Sequence, residues 1–434
     1  MPYAKFPRTR APMNDATNPA AMTDTAKVRP VGVALMAALV VLTFGHILSN
    51  LLRTMPAVSI DLMARDLEST AQKLAGLTAA YHFAFAACQV PFGVALDRYS
   101  IRSLSLGLFV VTSAGACLAA LSSGPLSFLA AQILLGVGTA GMLLCPMTLA
   151  ARKLTPMQFG LWSGLILSLG NAGMLLSASP LAFVVERWGW RAGFWIAGGA
   201  ALVVAALMLL IVPGDRPAQS RRDLFGEMRL VLQLGTSRLL RGIVILAFVS
   251  LAVQLVLRGL WAGPWLMQVK GLSRIEAGNI LTLFTCAVVA GPALMGLLDR
   301  KLGRRRVQLL VTQLLAAALL VVMALGAPDG PLARAFGVAL MPVSFDAGLL
   351  VAIGLLVTVQ PLIYAMTRQV VTGDNTGKAM SAVNLAFFLG TATMQSGTGL
   401  IASLWGLPAV LMAMAGFLAV CAAIFFILTR PSAA

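Results

Sequence analysis

Negative charge is scarce in this sequence. Of 434 residues, 15 are Asp or Glu against 32 Lys or Arg, and only 11% carry a charge of either sign. A soluble domain carries about 25% charged residues, so water is not the solvent this chain is built for. Histidine is scarcer still, and two residues cannot make an HExxH helix or a His-rich metal cluster. The five cysteines (Cys88, Cys117, Cys145, Cys286 and Cys421) lie singly in apolar runs, with no CxxC and an odd total. That excludes a disulfide framework and a thiolate zinc site. The string GVGTAG (Gly136–Gly141) looks like a dinucleotide fingerprint, but it follows no strand pattern and no acid stands about twenty residues further on. Small residues at that spacing read instead as close helix packing. Neither a catalytic constellation nor an appended signalling domain stands along the chain, so no enzyme, no cofactor and no metal are expected.

What the chain has is apolar length: 59% of it is hydrophobic and the mean hydropathy is +0.89. Twelve stretches are long enough to cross about 30 Å of hydrocarbon at 1.5 Å per residue. They run over 31–60, 74–96, 103–121, 126–150, 159–183, 192–213, 242–268, 276–298, 307–326, 346–367, 379–402 and 408–428. Lipid offers backbone groups no partner, and the runs are too long and too uniformly apolar for barrel strands, so each is expected to be a helix. The predicted fold class is all-α integral membrane, with twelve transmembrane helices. The expected division is a disordered tail (1–30), six spans (31–213), an interdomain loop (214–241), six more spans (242–429) and a short tail (430–434). A cleaved signal peptide is not expected, because the first apolar run is too long and no A-x-A site follows it.

The net charge of +17 raises the possibility of nucleic acid, and the placement of the charges answers it. With the N-terminus inside, 23 of the 32 basic residues fall on the cytoplasmic side, seven outside, and Arg53 and Arg258 within spans. The bias puts both termini in the cytoplasm and makes the basic balance topological. The expected setting is a bacterial inner membrane.

Two loops repeat. GVALDRYSIRSL follows span 2 and GLLDRKLGRRRV follows span 8. Arg53 precedes the first Asp-Arg pair by 44 residues, and Arg258 precedes the second by 41. The same parts therefore recur in the same order about 200 residues apart. These loops resemble the G-x-x-x-D-R-x-G-R-R signature of the major facilitator superfamily, as do GWRAGFW (Gly189–Trp195) and RGLWAGPWL (Arg258–Leu266). In copy one, Gly93, Asp97, Arg98 and Arg102 fit, with Ser100 and Ile101 in place of Gly and Arg. In copy two, Gly296, Gly303, Arg304 and Arg305 fit, with Asp299 one residue early. The family's span-4 arginine is replaced by Gln132. The resemblance implies two pseudo-symmetric six-helix bundles around a central cavity, worked by alternating access. For the two loops it implies a cytoplasmic latch built from Gly93, Asp97, Arg98, Arg102, Asp299, Gly303, Arg304 and Arg305.

The stretch FGHILSNLLRTMPA in span 1 carries the chemistry. At 100° per residue His46, Asn50 and Arg53 share a face, with Ser49 adjacent, and span 7 repeats the idea with Ser250, Gln254 and Arg258. An intramembrane arginine costs about 2.5–3.5 kcal/mol on insertion scales and normally faces a partner or a wet cavity. For Arg53, snorkelling to the outer head groups is the alternative. All fifteen acids fall in loops, tails or span ends, with Glu186, Glu276 and Asp346 nearest the membrane. Two arginines about 10 Å apart at an effective dielectric of about 20 repel by roughly 1.7 kcal/mol, whereas an anion about 4 Å from either gains roughly 4 kcal/mol before desolvation. The expected ligand is therefore a small anion clamped by Arg53 and Arg258.

The supporting binding residues are His46, Asn50, Gln254, Trp261, His82, Gln89, Asn384 and Gln395. For the polar ones on spans 2 and 11, interhelical hydrogen bonds are an equal reading. Trp265 is expected at the cavity floor or in an interfacial belt. The arginine pair is similar to that of the organophosphate/phosphate antiporter branch of the family. An empty cavity carrying +2 is costly to reorient and a bound anion relieves that cost, which predicts exchange over uniport. Proton-coupled symport, with His46 or His82 as carrier, and proton-driven drug efflux are the alternatives. The expected partners are the lipid bilayer, an anionic substrate and a coupling proton, with the chain a monomer and nucleic acid excluded.

Overall fold

The computed structural model describes residues 32–214, 224–371 and 376–430. Among the described residues every regular element is a helix. Eleven helical stretches are long and apolar enough to cross a membrane. They are α1 (Val33–Val58), α2 (Ala71–Leu96), α3 (Ile101–Ala120), α4 (Pro125–Lys153), α5 (Leu161–Trp188), α6 (Trp190–Ile211), α7 (Arg241–Val269), α8 (Arg274–Leu302), α9 (Arg305–Leu325), α10 (Val343–Val370) and α11 (Thr376–Leu428). The last, at 53 residues, breaks at Gly406 (φ 77°). Both of its ends return to one face: Lys378 pairs with Glu227 at 3.1 Å, and Phe426 receives a hydrogen bond from Arg306. The twelve spans expected from the sequence rest on counting these two arms as separate crossings. The face that carries the start of α1 and the end of α11 is called the termini face below, and the opposite one the far face.

Local sequence explains the helix ends. Ser273 starts α8 with a capping box: its hydroxyl accepts from the Glu276 N–H at 3.3 Å, and the Glu276 carboxylate accepts from the Ser273 N–H at 2.9 Å. Gly303 ends α8 in the left-handed region (φ 60°), where a Cβ would be strained. Pro91 in α2 and Pro292 in α8 stand at matching places in the two halves.

Small residues set how closely the helices approach. A Cβ on Gly136 would stand 2.3 Å from the Tyr81 carbonyl oxygen, and one on Gly138 would stand 2.5 Å from the Thr112 hydroxyl. GVGTAG is thus the contact of α4 with α2 and α3. The expected 214–241 loop contains a helix, Leu224–Thr236, held to α11 by Glu227 and Lys378. The tails at 1–30 and 431–434, and 215–223 of the loop, lie outside the described residues.

One expectation about charge changes. Asp346, placed at a span end by hydropathy, is fully buried near the start of α10. Its carboxylate lies 2.7 Å from Lys270 Nζ and accepts from Trp265 Nε1 at 2.8 Å, while Lys270 also donates to the Met341 carbonyl at 2.9 Å. Trp265 therefore neither floors a cavity nor anchors in a belt; its indole N–H is committed to a buried ion pair. A buried pair that loses one partner leaves an unmatched charge, which typically costs 3–5 kcal/mol, while replacing both partners by apolar groups is close to neutral. Asp346→Leu alone should therefore lower the thermal midpoint of the detergent-purified protein, and adding Lys270→Met should recover most of the loss.

Candidate functional site

A cavity of about 480 Å³ lies between the two halves. It reaches the termini face, where its lining residues Gly93 and Ser381 are exposed. Arg53 of α1 lines it, which decides against snorkelling to head groups. Its Nη2 donates to Ser49 Oγ at 2.6 Å and its Nε to the Ser49 carbonyl at 3.2 Å. Ser49 is in turn contacted by Tyr81, 3.3 Å away, whose hydroxyl lies 2.6 Å from Thr139 Oγ1. The guanidinium carbon stands 5.1 Å from the ring centre of Phe85 in α2 and 5.4 Å from that of Phe388 in α11. Cation–π attraction at desolvated sites is worth about 2 kcal/mol. An arginine is thus held inside the bundle by a hydroxyl, a carbonyl and two rings, and among the described residues no carboxylate lines this cavity.

Of the other expected binding residues, His46, Gln89 and Asn384 line the same cavity. Gln89 and Asn384 also bond across the halves: Asn384 Nδ2 donates to Gln89 Oε1 at 2.8 Å, and Tyr364 donates to Asn384 Oδ1 at 3.0 Å. Gln89 Nε2 donates to the Ala140 carbonyl at 3.0 Å, where α4 breaks its regular helix at Gly141–Leu143 and frees that oxygen.

The remaining expected binding residues stand elsewhere, because each has a partner in the helix packing or none within the cavity. Asn50 donates to the Gly170 carbonyl at 2.9 Å, tying α1 to α5. Gln254 accepts from Gln360 at 3.0 Å, and Trp261 donates to Thr398 at 2.9 Å, both within the second half. Gln395 donates to Thr78 Oγ1 at 2.6 Å across the halves. His82 is buried, with both ring nitrogens unpartnered among the described residues.

Arg258 is the main correction. It is fully buried outside this cavity, in a π-helical turn (Leu257–Trp261) of α7. Its Nε donates to Thr285 Oγ1 at 2.6 Å, and its Nη2 to the Met174 carbonyl at 2.7 Å and to Ser177 Oγ at 3.3 Å. Met174 and Ser177 belong to α5, in the other half, at a helix break that leaves polar groups free. Arg258 therefore braces the halves together and does not form the second jaw of a clamp in this conformation.

That brace belongs to a seal on the far face. Arg274 forks onto Asp61 at 2.9 and 2.7 Å, donates to the Val58 carbonyl and lies 3.4 Å from Glu186. Ser179 Oγ meets Asn279 at 2.7 Å and Thr282 at 2.9 Å. Gly263 packs so closely that a Cβ would stand 1.6 Å from the Ala57 carbonyl oxygen. The cavity is thus open to one face and closed to the other.

This geometry matches what comparison with known proteins finds. The family model of the Major Facilitator Superfamily matches residues 42–360 and 259–434. The chain belongs to that superfamily. Among solved structures, a POT family transporter in complex with 5-aminolevulinic acid aligns over 90% of this chain and 96% of its own, with TM-score 0.74 and 13% identity. The nucleoside transporter NupG aligns over 92% and 100% with TM-score 0.73 and 11% identity. A bacterial homolog of the human lysosomal transporter Spinster, in an inward-facing and unoccupied conformation, aligns over 93% and 100% with TM-score 0.72 and 15% identity. At these identities the likeness is one of fold. A curated relative, the "Multidrug resistance protein B homolog" of Mycobacterium tuberculosis, is 28% identical over 218 residues, 48% of this chain and 37% of that protein. The chain is a transporter of the superfamily, not an enzyme.

The superfamily's signature loops lie on the termini face. In copy two, Arg305 Nε donates to both oxygens of Asp299 at 2.8 and 2.9 Å, joining α8 to α9 around Gly303, while Arg304 is exposed. In copy one, Arg102 donates to the Leu209 carbonyl at 2.7 Å and Arg98 is exposed; the Asp97 side chain lies outside the described residues. Gly93 faces the cavity mouth. GWRAGFW closes the far end of the first half: Trp190 donates to Asp66 at 3.0 Å, and Arg191 pairs with the same carboxylate.

Sequence reasoning missed Phe85 and Phe388, although both share a face with residues it singled out, three residues after His82 and four after Asn384. It also missed the bond of Arg274 to Asp61. Burial pushes the Asp61 carboxyl up, but the hydrogen bonds and charge of Arg274 outweigh it and leave it below the usual carboxylate range. A depressed value means that the closed far face gains stability where Asp61 is ionised, above about pH 4, and loses it as pH falls through the lowered value. Distances between spin labels on the far ends of the two halves, in a cysteine-free background, should lengthen at acid pH. Asp61→Asn should lengthen them already at neutral pH.

Proposed function

We propose that this superfamily member moves a small organic anion by alternating access, with Arg53 as the anion site. The observation that carries the reading is that, among the described residues, one arginine and no carboxylate line the interhalf cavity. An empty cavity carries the Arg53 charge through the membrane when it reorients, which is unfavourable, and a bound anion cancels it. Exchange of one anion for another is therefore favoured over uniport. Opening the far face would break the Arg258 bonds to Met174 and Ser177 and offer that second guanidinium to the outer water. Substrate passing between the faces would then meet the two arginines in turn. The Asp-Arg loops would latch the termini face in that state. On the bias of basic residues, the termini face is the cytoplasmic side of a bacterial inner membrane, and the chain works as a monomer.

A second reading, efflux of apolar drugs, draws support from the relative in Mycobacterium tuberculosis and from the leucines and methionines that line much of the cavity. Proteoliposomes separate the two. With the anion reading, preloaded anion leaves at least about tenfold faster when an anion is present outside, and Arg53→Gln abolishes both binding and flux. Undiminished transport by Arg53→Gln, or a substrate profile dominated by neutral and cationic compounds, would favour the efflux reading instead.

A further inference from the structure

The free geometry of Arg53 restricts which anion fits. A guanidinium can grip a planar anion by a fork of two N–H groups along one edge. The edge made by Nε and Nη2 is spent on Ser49, at 3.2 and 2.6 Å. The edge made by Nη1 and the second proton of Nη2 has no protein partner among the described residues, so one fork remains. Beside it stand Phe85 and Phe388, with ring centres 4.2 Å apart and planes tilted by 45°. Much of the remaining wall is apolar, with Leu143, Leu144, Met147, Leu167 and Met380, and the amides of Gln89 and Asn384 beside it are bonded to each other. A dianion on a single fork would keep one charge unmatched against these side chains, and burying an unmatched charge is costly. A small hydrophilic monoanion would be matched in charge but would leave the rings and the rest of the 480 Å³ unused.

We propose, resting on the anion reading above, that the substrate is a monocarboxylate with an aromatic or branched apolar body. Its carboxylate takes the free edge of Arg53, and its body lies against Phe85 and Phe388, which are the specificity-determining residues. Because Phe85 belongs to α2 and Phe388 to α11, the body touches both halves at once, so occupancy is felt by the two parts that must move. With one carboxylate bound, the site is neutral.

Isothermal titration of the detergent-purified full chain tests this with phenylacetate, 4-methylpentanoate, acetate, phenylacetamide and inorganic phosphate. Phenylacetate or 4-methylpentanoate should bind at least about tenfold more tightly than the other three. Phosphate binding more tightly than both would overturn the monocarboxylate class and leave the anion reading standing. Phenylacetamide matching phenylacetate would overturn both readings. Acetate matching phenylacetate, or no binding by either large acid, would remove the apolar body from the proposal. Phe388→Leu keeps the site apolar and should weaken phenylacetate roughly threefold to tenfold, and by a larger factor than it weakens acetate. Equal phenylacetate affinity in a Phe388→Leu protein with an unaltered thermal midpoint would refute the role of the ring.

Discussion

A guanidinium inside a membrane has to be solvated by something, and among the described residues no carboxylate does it. Arg53 is held by the hydroxyl and carbonyl of Ser49 and by two aromatic rings; Arg258 is held by Thr285, Ser177 and the carbonyl of Met174. Neutral partners satisfy protons but not charge. Each arginine therefore remains a site of uncompensated positive potential in a low-dielectric setting, where a nearby charge acts strongly. Asp346, the one fully buried acid among the described residues, is already matched by Lys270 and adds nothing to the balance at the cavity. The proposed preference of the interhalf cavity for an anion and the cost of reorienting it empty both rest on this one imbalance.

The backbone supplies much of what the arginines and amides need, and it can do so only where helices break. Regular helices consume their own carbonyls. The interruption of α4 after Ala140 frees an oxygen that Gln89 takes, and the interruption of α5 near Ser177 leaves the Met174 carbonyl to Arg258. Irregular backbone at membrane depth is tolerated where it faces protein or a cavity, and here it does both. The glycines act in the complementary way. Gly263 against Ala57 and Gly136 against Tyr81 bring backbones close enough that a methyl group would not fit, so the far-face seal and the first bundle are both set by absent side chains.

Much of the architecture was legible in the sequence, because hydrophobic length and basic-residue placement report on the solvent and not on particular contacts. The repeat carried as much weight: Arg53 and Arg258, with the two Asp-Arg loops, marked two copies of one pattern, and Arg53 lines the cavity. Periodicity also put His46 and Arg53 on one face of α1 and Gln89 on the cavity side of α2. It went astray at Asn50, His82, Gln254, Trp261, Gln395 and Arg258, none of which lines the cavity. On each helix the same polar face runs past both the cavity and the packed seam, and period alone does not say where along the helix the cavity ends.

The sequence by itself determined the solvent, the helical class, the internal repeat and the presence of unmatched intramembrane cations. Those are properties of composition and of order along the chain. Only the tertiary structure decided that the arginines part company, Arg53 to the cavity and Arg258 to the seal. The equivalence of the two positions holds between halves, but a cavity open to one face is asymmetric and exposes equivalent positions unequally. The same asymmetry brings Phe388, distant in sequence, beside Phe85 and Arg53. It also joins Asp61 to Arg274 across a gap that no pattern in either helix announces.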